Sequence, residues 1–110
     1  YLENARRSYA LFSAYILDRY QGKKLWIWGA GGRGKHLFYV LMRAGVDVSG
    51  FISKDTDEGA SLCSRPVVNS NAVALTDDIF VVVASIFADE IHASLCSKSF
   101  VEGQHFLVAP

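Results

Sequence analysis

Gly29, Gly31 and Gly34 stand in the spacing G-x-G-x-x-G within KLWIWGAGGRGKH, residues Lys24 to His36. An apolar run of strand type, Leu25 to Trp28, precedes them, and an amphipathic pattern of helical period follows. In that setting each glycine has a physical task. The first allows a tight turn, the second lets a phosphate approach the backbone, and the third lets helix and strand pack closely. The phosphate then rests on the helix N-terminus. Arg33 and Lys35 point the same way. Cations in a first helical turn oppose the helix dipole by about 0.3–1 kcal/mol each when exposed, so an anion there gives them a purpose. His36, one residue on, is expected to face water.

The second half of a dinucleotide site is less complete. Where a strand some twenty residues further on commonly ends in Asp or Glu for the ribose, this chain reads GFIS, so Ser53 holds the position, followed by Lys54 and Asp55. Serine and lysine either receive a 2′-phosphate or begin a solvated loop, and the loop is preferred. Trp28 is bulky beside Gly29 and either crowds a nucleotide or stacks on one. Ser85 is expected to face the same crevice, but its turn, Ala84 to Phe87, has no glycine and leads into acids.

Other chemistry is hard to assemble. The histidines, His36, His92 and His105, are scattered, and none is read as spaced with a carboxylate or cysteine for metal or nucleophile work. Asp77-Asp78 and Asp89-Glu90 suit a turn and a helix start. Tyr20 and Lys24 form Y-x-x-x-K, but Gly22 interrupts them and they precede the glycine loop, so no dehydrogenase pair is assigned. Cys63 and Cys96 lack metal or C-x-x-C spacing and read as two free thiols, consistent with a cytoplasmic protein. No catalytic residue is assigned.

These residues must be positioned by an α/β frame. The 110 residues make one domain, and 51% hydrophobic with 20% charged content predicts a globular chain without a membrane span. The start at Tyr1 suggests a fragment of a longer protein. Residues 1–54 hold nine Lys+Arg against three Asp+Glu and residues 55–110 two against eight, so the halves carry +6 and −6. A basic half around a glycine loop fits a small anionic ligand, whereas overall neutrality argues against nucleic acid.

Residues 1–22 are read as an amphipathic helix with an aromatic stripe (Tyr9, Phe12, Tyr15, Tyr20) that packs on the sheet or on another subunit, and 23–110 as the nucleotide-binding domain. Strands are expected at Leu25–Trp28, Val46–Ile52, Pro66–Val68, Ile79–Ala84 and His105–Val108. Helices are expected at Gly32–Ala44, with Gly45 as stop, briefly at Asn69–Leu75, capped by Asn69 or Ser70, and at Ile86–Lys98, capped by Ser85 with Phe87, Ile91 and Leu95 inward. Ser53 to Arg65 is read as loop. The fold class is α/β: a Rossmann-like three-layer αβα sandwich on a parallel sheet of about five strands in order 3-2-1-4-5, with an extra N-terminal helix.

The stretches KLWIWGAGGRGKHLFYVL, VSGFIS, RPVV and DDIFVVVAS with EIHASL after it resemble the small Rossmann-like domain of bacterial sugar-modifying enzymes. They are similar to the N-terminal domain of the sialic-acid-type sugar acyltransferases, with its glycine loop, G-F-I-D strand and following P-V, and to the Rossmann-like domain accompanying FkbM-type methyltransferases. The resemblance implies a domain that holds a nucleotide or nucleotide-sugar, or positions its neighbour, while another domain performs the transfer. It implies phosphate contacts at Gly29, Gly31, Gly32 and Gly34 with Arg33 beside them. Ser53 replaces the aspartate of the G-F-I-D strand, and the acyltransferases' catalytic histidine belongs to a separate domain. The expected function is therefore an accessory nucleotide- or nucleotide-sugar-binding domain; the alternatives are an NAD(P)-binding oxidoreductase domain using Ser53 and Lys54, or a structural, self-associating module.

Overall fold

The computed structural model describes residues 11–12, 14–18, 20, 22–54, 60–70, 78–85 and 87–109. Its strands are β1 (Lys24–Trp28), β2 (Val48–Ser53), β3 (Ser61–Leu62), β4 (Arg65–Asn69), β5 (Ile79–Val83) and β6 (Phe106–Val108), with helices α1 (Gly32–Arg43) and α2 (Ala88–Ser97). They form one sheet in the order β3-β4-β2-β1-β5-β6. Every pairing is parallel except β3 with β4.

The sheet has six strands rather than about five. The additional one, β3, lies in the stretch read as loop, and it turns back into β4 through Cys63 and Ser64, both at positive φ (52° and 62°). A two-residue hairpin turn of the primed type needs that backbone, and its usual marker is Asn-Gly or Asp-Gly. With cysteine and serine there instead, the turn leaves no sequence signal. Residues 55–59 of the same stretch lie outside the described residues.

Alternation along the strands sends side chains to two faces. Leu25, Ile27, Phe51, Phe80 and Val82 join Leu37, Phe38 and Leu41 of α1 in one cluster, while Trp28, Ile52, Val81 and Val83 join Leu95 of α2 in another. Helices therefore cover both faces of the sheet. Residues 11, 12 and 14–18 are also helical, and Ile16, fully buried, packs into the α1 cluster with Phe12 and Tyr20 beside it. Tyr15 is instead exposed, and Tyr9 lies outside the described residues.

Helix ends explain the shifted boundaries. After α1, Gly45 has φ +85°, its N–H reaches the Met42 carbonyl at 3.2 Å, and the Val46 N–H reaches that of Leu41 at 2.9 Å. This is a Schellman closure, which uses Val46 in the helix cap and delays β2 to Val48. After α2, Ser99 takes the same place at φ 68°, with Ser99 N–H on Cys96 and Phe100 N–H on Leu95, both at 3.1 Å. Asn69 is the last residue of β4, and the brief helix expected from it falls in 71–77, outside the described residues. Among the described residues, no helix is long and apolar enough to cross a membrane.

Candidate functional site

In the sheet, β1 lies between β2 and β5, so chain order reverses beside it, and in such sheets ligands sit outside the carboxyl ends of the strands at that point. Backbone bonds tie the three ends together there. Gly29 N–H donates to the Ile52 carbonyl at 2.9 Å, and Ala84 N–H donates to that of Trp28 at 3.0 Å.

The glycines above this junction divide into two kinds. Gly29 has φ +137°, and a Cβ on it would run into the Ala84 carbonyl; a Cβ on Gly34 would run into the Gly29 carbonyl. These two are glycines because the fold leaves no room. Gly34 is buried beneath the loop, so it serves helix-to-strand packing and does not line the cleft. Gly31 has an ordinary φ of −89°, and neither its Cβ nor that of Gly32 would meet anything within 4 Å. Among the described residues, nothing packs where a side chain at 31 or 32 would stand.

The space in front of them is a cleft of about 700 Å³. Of the residues expected at the site, Gly29, Gly31, Gly32, Arg33, Ser53, Lys54 and Ser85 all line it. Arg33 and Lys54 bring positive charge, the first turn of α1 contains no acid, and among the described residues no side chain caps that helix. Its leading N–H groups thus face the loop end without an internal partner from a capping side chain. Lys35 and His36 are exposed on α1 outside the lining.

The tip of β2 is held rather than loose. Ser53 pairs with Asn69 in the sheet, Ser70 N–H donates to the Ser53 carbonyl at 3.0 Å, and Asn69 Nδ2 donates to the Lys54 carbonyl at 3.2 Å. Ser53 therefore ends a strand instead of opening a solvated loop, and both it and Lys54 form one wall of the cleft.

The opposite wall comes from α2, and here the expected register needs correction. Phe87 does not point inward; it is 58% exposed and lines the cleft with Glu90, Ile91 and Ser94, while Leu95 is fully buried and Ile91 also packs against that core, as expected. Residues 87, 90, 91 and 94 follow the i, i+3, i+4, i+7 pattern of one helical stripe, the signal that was available in the sequence. Ser85 Oγ accepts from Phe87 N–H at 3.1 Å, bracing this turn, although α2 itself begins later, at Ala88. Trp28 forms the floor and is only 7% exposed.

The histidines also differ from expectation. His105 is a core residue, its Nδ1 accepting from Val101 N–H at 2.9 Å with its ring stacked on Phe100. His92, read as isolated, lies within reach of both Glu102 and Cys96. Among the described residues, no group of three or more His, Cys, Asp or Glu is placed to hold a metal ion. No protein-family model and no curated protein matches the chain.

Proposed function

We propose that this chain is a Rossmann-like domain that binds the phosphates of a nucleotide or nucleotide-sugar over Gly31 and Gly32, serving a bacterial sugar-modifying transferase whose reacting groups lie on an adjoining domain. The pair of glycines carries this reading. Gly32, inside the first turn, is a weaker helix former than alanine, by roughly 0.5–1 kcal/mol in a helix interior, whereas Gly31 stands at the N-cap, where glycine is preferred to alanine. Among the described residues neither backbone conformation nor packing demands glycine at 32, and with Gly31 beside it the loop leaves open backbone that a ligand can approach closely. Arg33 and the uncapped helix supply the charge complement, and about 700 Å³ lies within the usual range for a small-molecule site, roughly 300–1,000 Å³.

Ser53 and Lys54 on the cleft wall favour a second reading, an NADP-binding oxidoreductase domain in which they receive the 2′-phosphate. A cytoplasmic setting, and self-association through the N-terminal helix with its exposed Leu11 and Tyr15, belong to the same proposal.

The test is a titration with UDP, a UDP-sugar, dTDP, NAD(H) and NADP(H), followed by tryptophan fluorescence, Trp28 lying on the cleft, and by calorimetry. Saturable binding of a nucleotide-sugar supports the transferase reading, and a preference for NADP(H) supports the redox one. Arg33→Glu should lose at least one charge-assisted contact, about 1.5–3 kcal/mol or roughly ten- to a hundredfold in affinity, with folding intact. Unchanged affinity in that variant would remove the phosphate assignment, and no binding by any probe would leave a structural module.

A further inference from the structure

On the side of α2 away from the cleft, His92 and Cys96 stand one helical turn apart, which puts them on one face. The ring of His92 is engaged at both nitrogens. Nε2 lies 2.6 Å from Glu102 Oε2, and Nδ1 lies 3.7 Å from Cys96 Sγ. Beneath it the ring meets the fully buried Phe106 of β6 edge-on, at 5.3 Å between centroids and 76° between planes. Strand, loop and helix thus converge to fix one imidazole between a carboxylate and a thiol.

The chemistry of that order is directional. A neutral imidazole donates from one nitrogen and accepts at the other. A carboxylate on Nε2 holds the proton there and leaves the Nδ1 lone pair facing the sulfur, so the ring can take the thiol proton as sulfur attacks. Cys96 is exposed, and the side chains of His92 and Glu102 retain 39% and 51% of their accessible surface, so a small soluble reagent can reach the sulfur. Thiol exchange with a disulfide asks for an accessible sulfur and a proton acceptor, both present; acyl transfer asks in addition for aimed oxyanion donors.

We propose that Cys96, served by His92 as proton acceptor and by Glu102 as the residue that positions the ring, is a nucleophilic thiol site that forms mixed disulfides with small soluble disulfides. Sγ attacks one sulfur of R–S–S–R. The bond from Cys96 to that sulfur forms while the original S–S bond breaks. The thiol proton passes to His92 Nδ1 and then to the departing thiolate, which leaves as R–SH. Cys96 sulfur is oxidised to the disulfide level as the departing sulfur is reduced to a thiol, with no other oxidant needed.

Cys63, half-buried in the β3–β4 turn, is a reference thiol in the same molecule. The probe is bis(2-hydroxyethyl) disulfide, which is uncharged, with each site quantified by peptide mass spectrometry at neutral pH. In His92→Ala and His92→Gln, Cys96 is expected to react at least about tenfold more slowly than in the wild type while Cys63 keeps its rate. Glu102→Ala is expected to slow Cys96 by a smaller factor. Free imidazole should restore the rate at Cys96 of His92→Ala and leave Cys63 unaffected, which a merely structural role of the ring would not produce. Equal Cys96 rates in wild type and both His92 variants, or imidazole acting alike on both cysteines, would overturn the proposal.

Discussion

Alanine at Gly32 is expected to raise the stability of the protein and weaken its cleft in one step. Gly32 is the first residue of α1, and a Cβ there meets nothing within 4 Å. The methyl group therefore adds helix preference without strain, and about 0.5 kcal/mol is the lower end of the Gly-to-Ala difference, suited to a helix end. In a domain of this size that raises the melting temperature by roughly 2–4 °C. On the proposed reading, the same methyl group takes up space that a bound phosphate would need. Displacing one charge-assisted hydrogen bond removes about 1.5–3 kcal/mol, or roughly ten- to a hundredfold in Kd. Gly34→Ala is the counterpart. Its Cβ is directed at the Gly29 carbonyl, backbone against backbone, so neither atom can turn aside. Overpacking of this kind costs about 1–3 kcal/mol, and the upper end lowers the melting temperature by roughly 10 °C or more. Thermal unfolding followed by circular dichroism, beside calorimetric titration with the tightest nucleotide of the panel, reads both quantities. A Gly32→Ala protein that binds as tightly as the wild type would refute the assignment of the glycine pair to a ligand, and a Gly34→Ala protein of undiminished stability would refute the packing argument.

Phe87→Ala should leave unfolding within about 0.5 kcal/mol of the wild type, because the ring is 58% exposed, yet lower the affinity for any ligand whose base rests on it; calorimetry beside urea unfolding separates the two. His105→Leu leaves the Val101 N–H without its acceptor and should cost about 1–3 kcal/mol in urea unfolding, a loss that a surface histidine would not show. Ile16→Ala deletes a fully buried side chain and should cost about 2–5 kcal/mol, so a stability equal to the wild type would mean that the N-terminal helix is not part of the core.

The frame was legible where periodicity and glycine spacing speak directly. Leu25 to Trp28 and the run IFVVV lie in the sheet as buried strands, and Gly45 stops α1 where expected. What escaped has identifiable causes. The hairpin turn at Cys63-Ser64 and the left-handed helix stop at Ser99 use residues that seldom adopt that backbone, so no glycine or asparagine announced them. Val46, apolar and next to a strand, belongs to a helix cap because its N–H closes on Leu41. On α2 the stripe 87, 90, 91, 94 competed with 87, 91, 95, and apolar content alone favoured the second, which hid Glu90 and Ser94 from the site. His92 and Cys96 were one helical turn apart in plain view, but Glu102 lies beyond the helix and only the fold brings it to the ring. Of the site itself, the glycine loop was readable, while the ordered tip of β2 and the wall built by α2 depended on tertiary placement.

The central place of β1 also bears on how the molecule comes into being during synthesis. Its neighbour on one side, β2, follows within a few turns of chain, but β5, on the other, is made only after residue 78, and the α2 wall of the cleft comes later still. A growing chain can expose its glycine loop long before it can enclose anything with it. Pairings of such long reach form late because the chain entropy lost in closing them precedes their reward. The complete cleft is thus a property of the finished molecule, and a nascent chain on the ribosome lacks it until its second half has folded back beside the first.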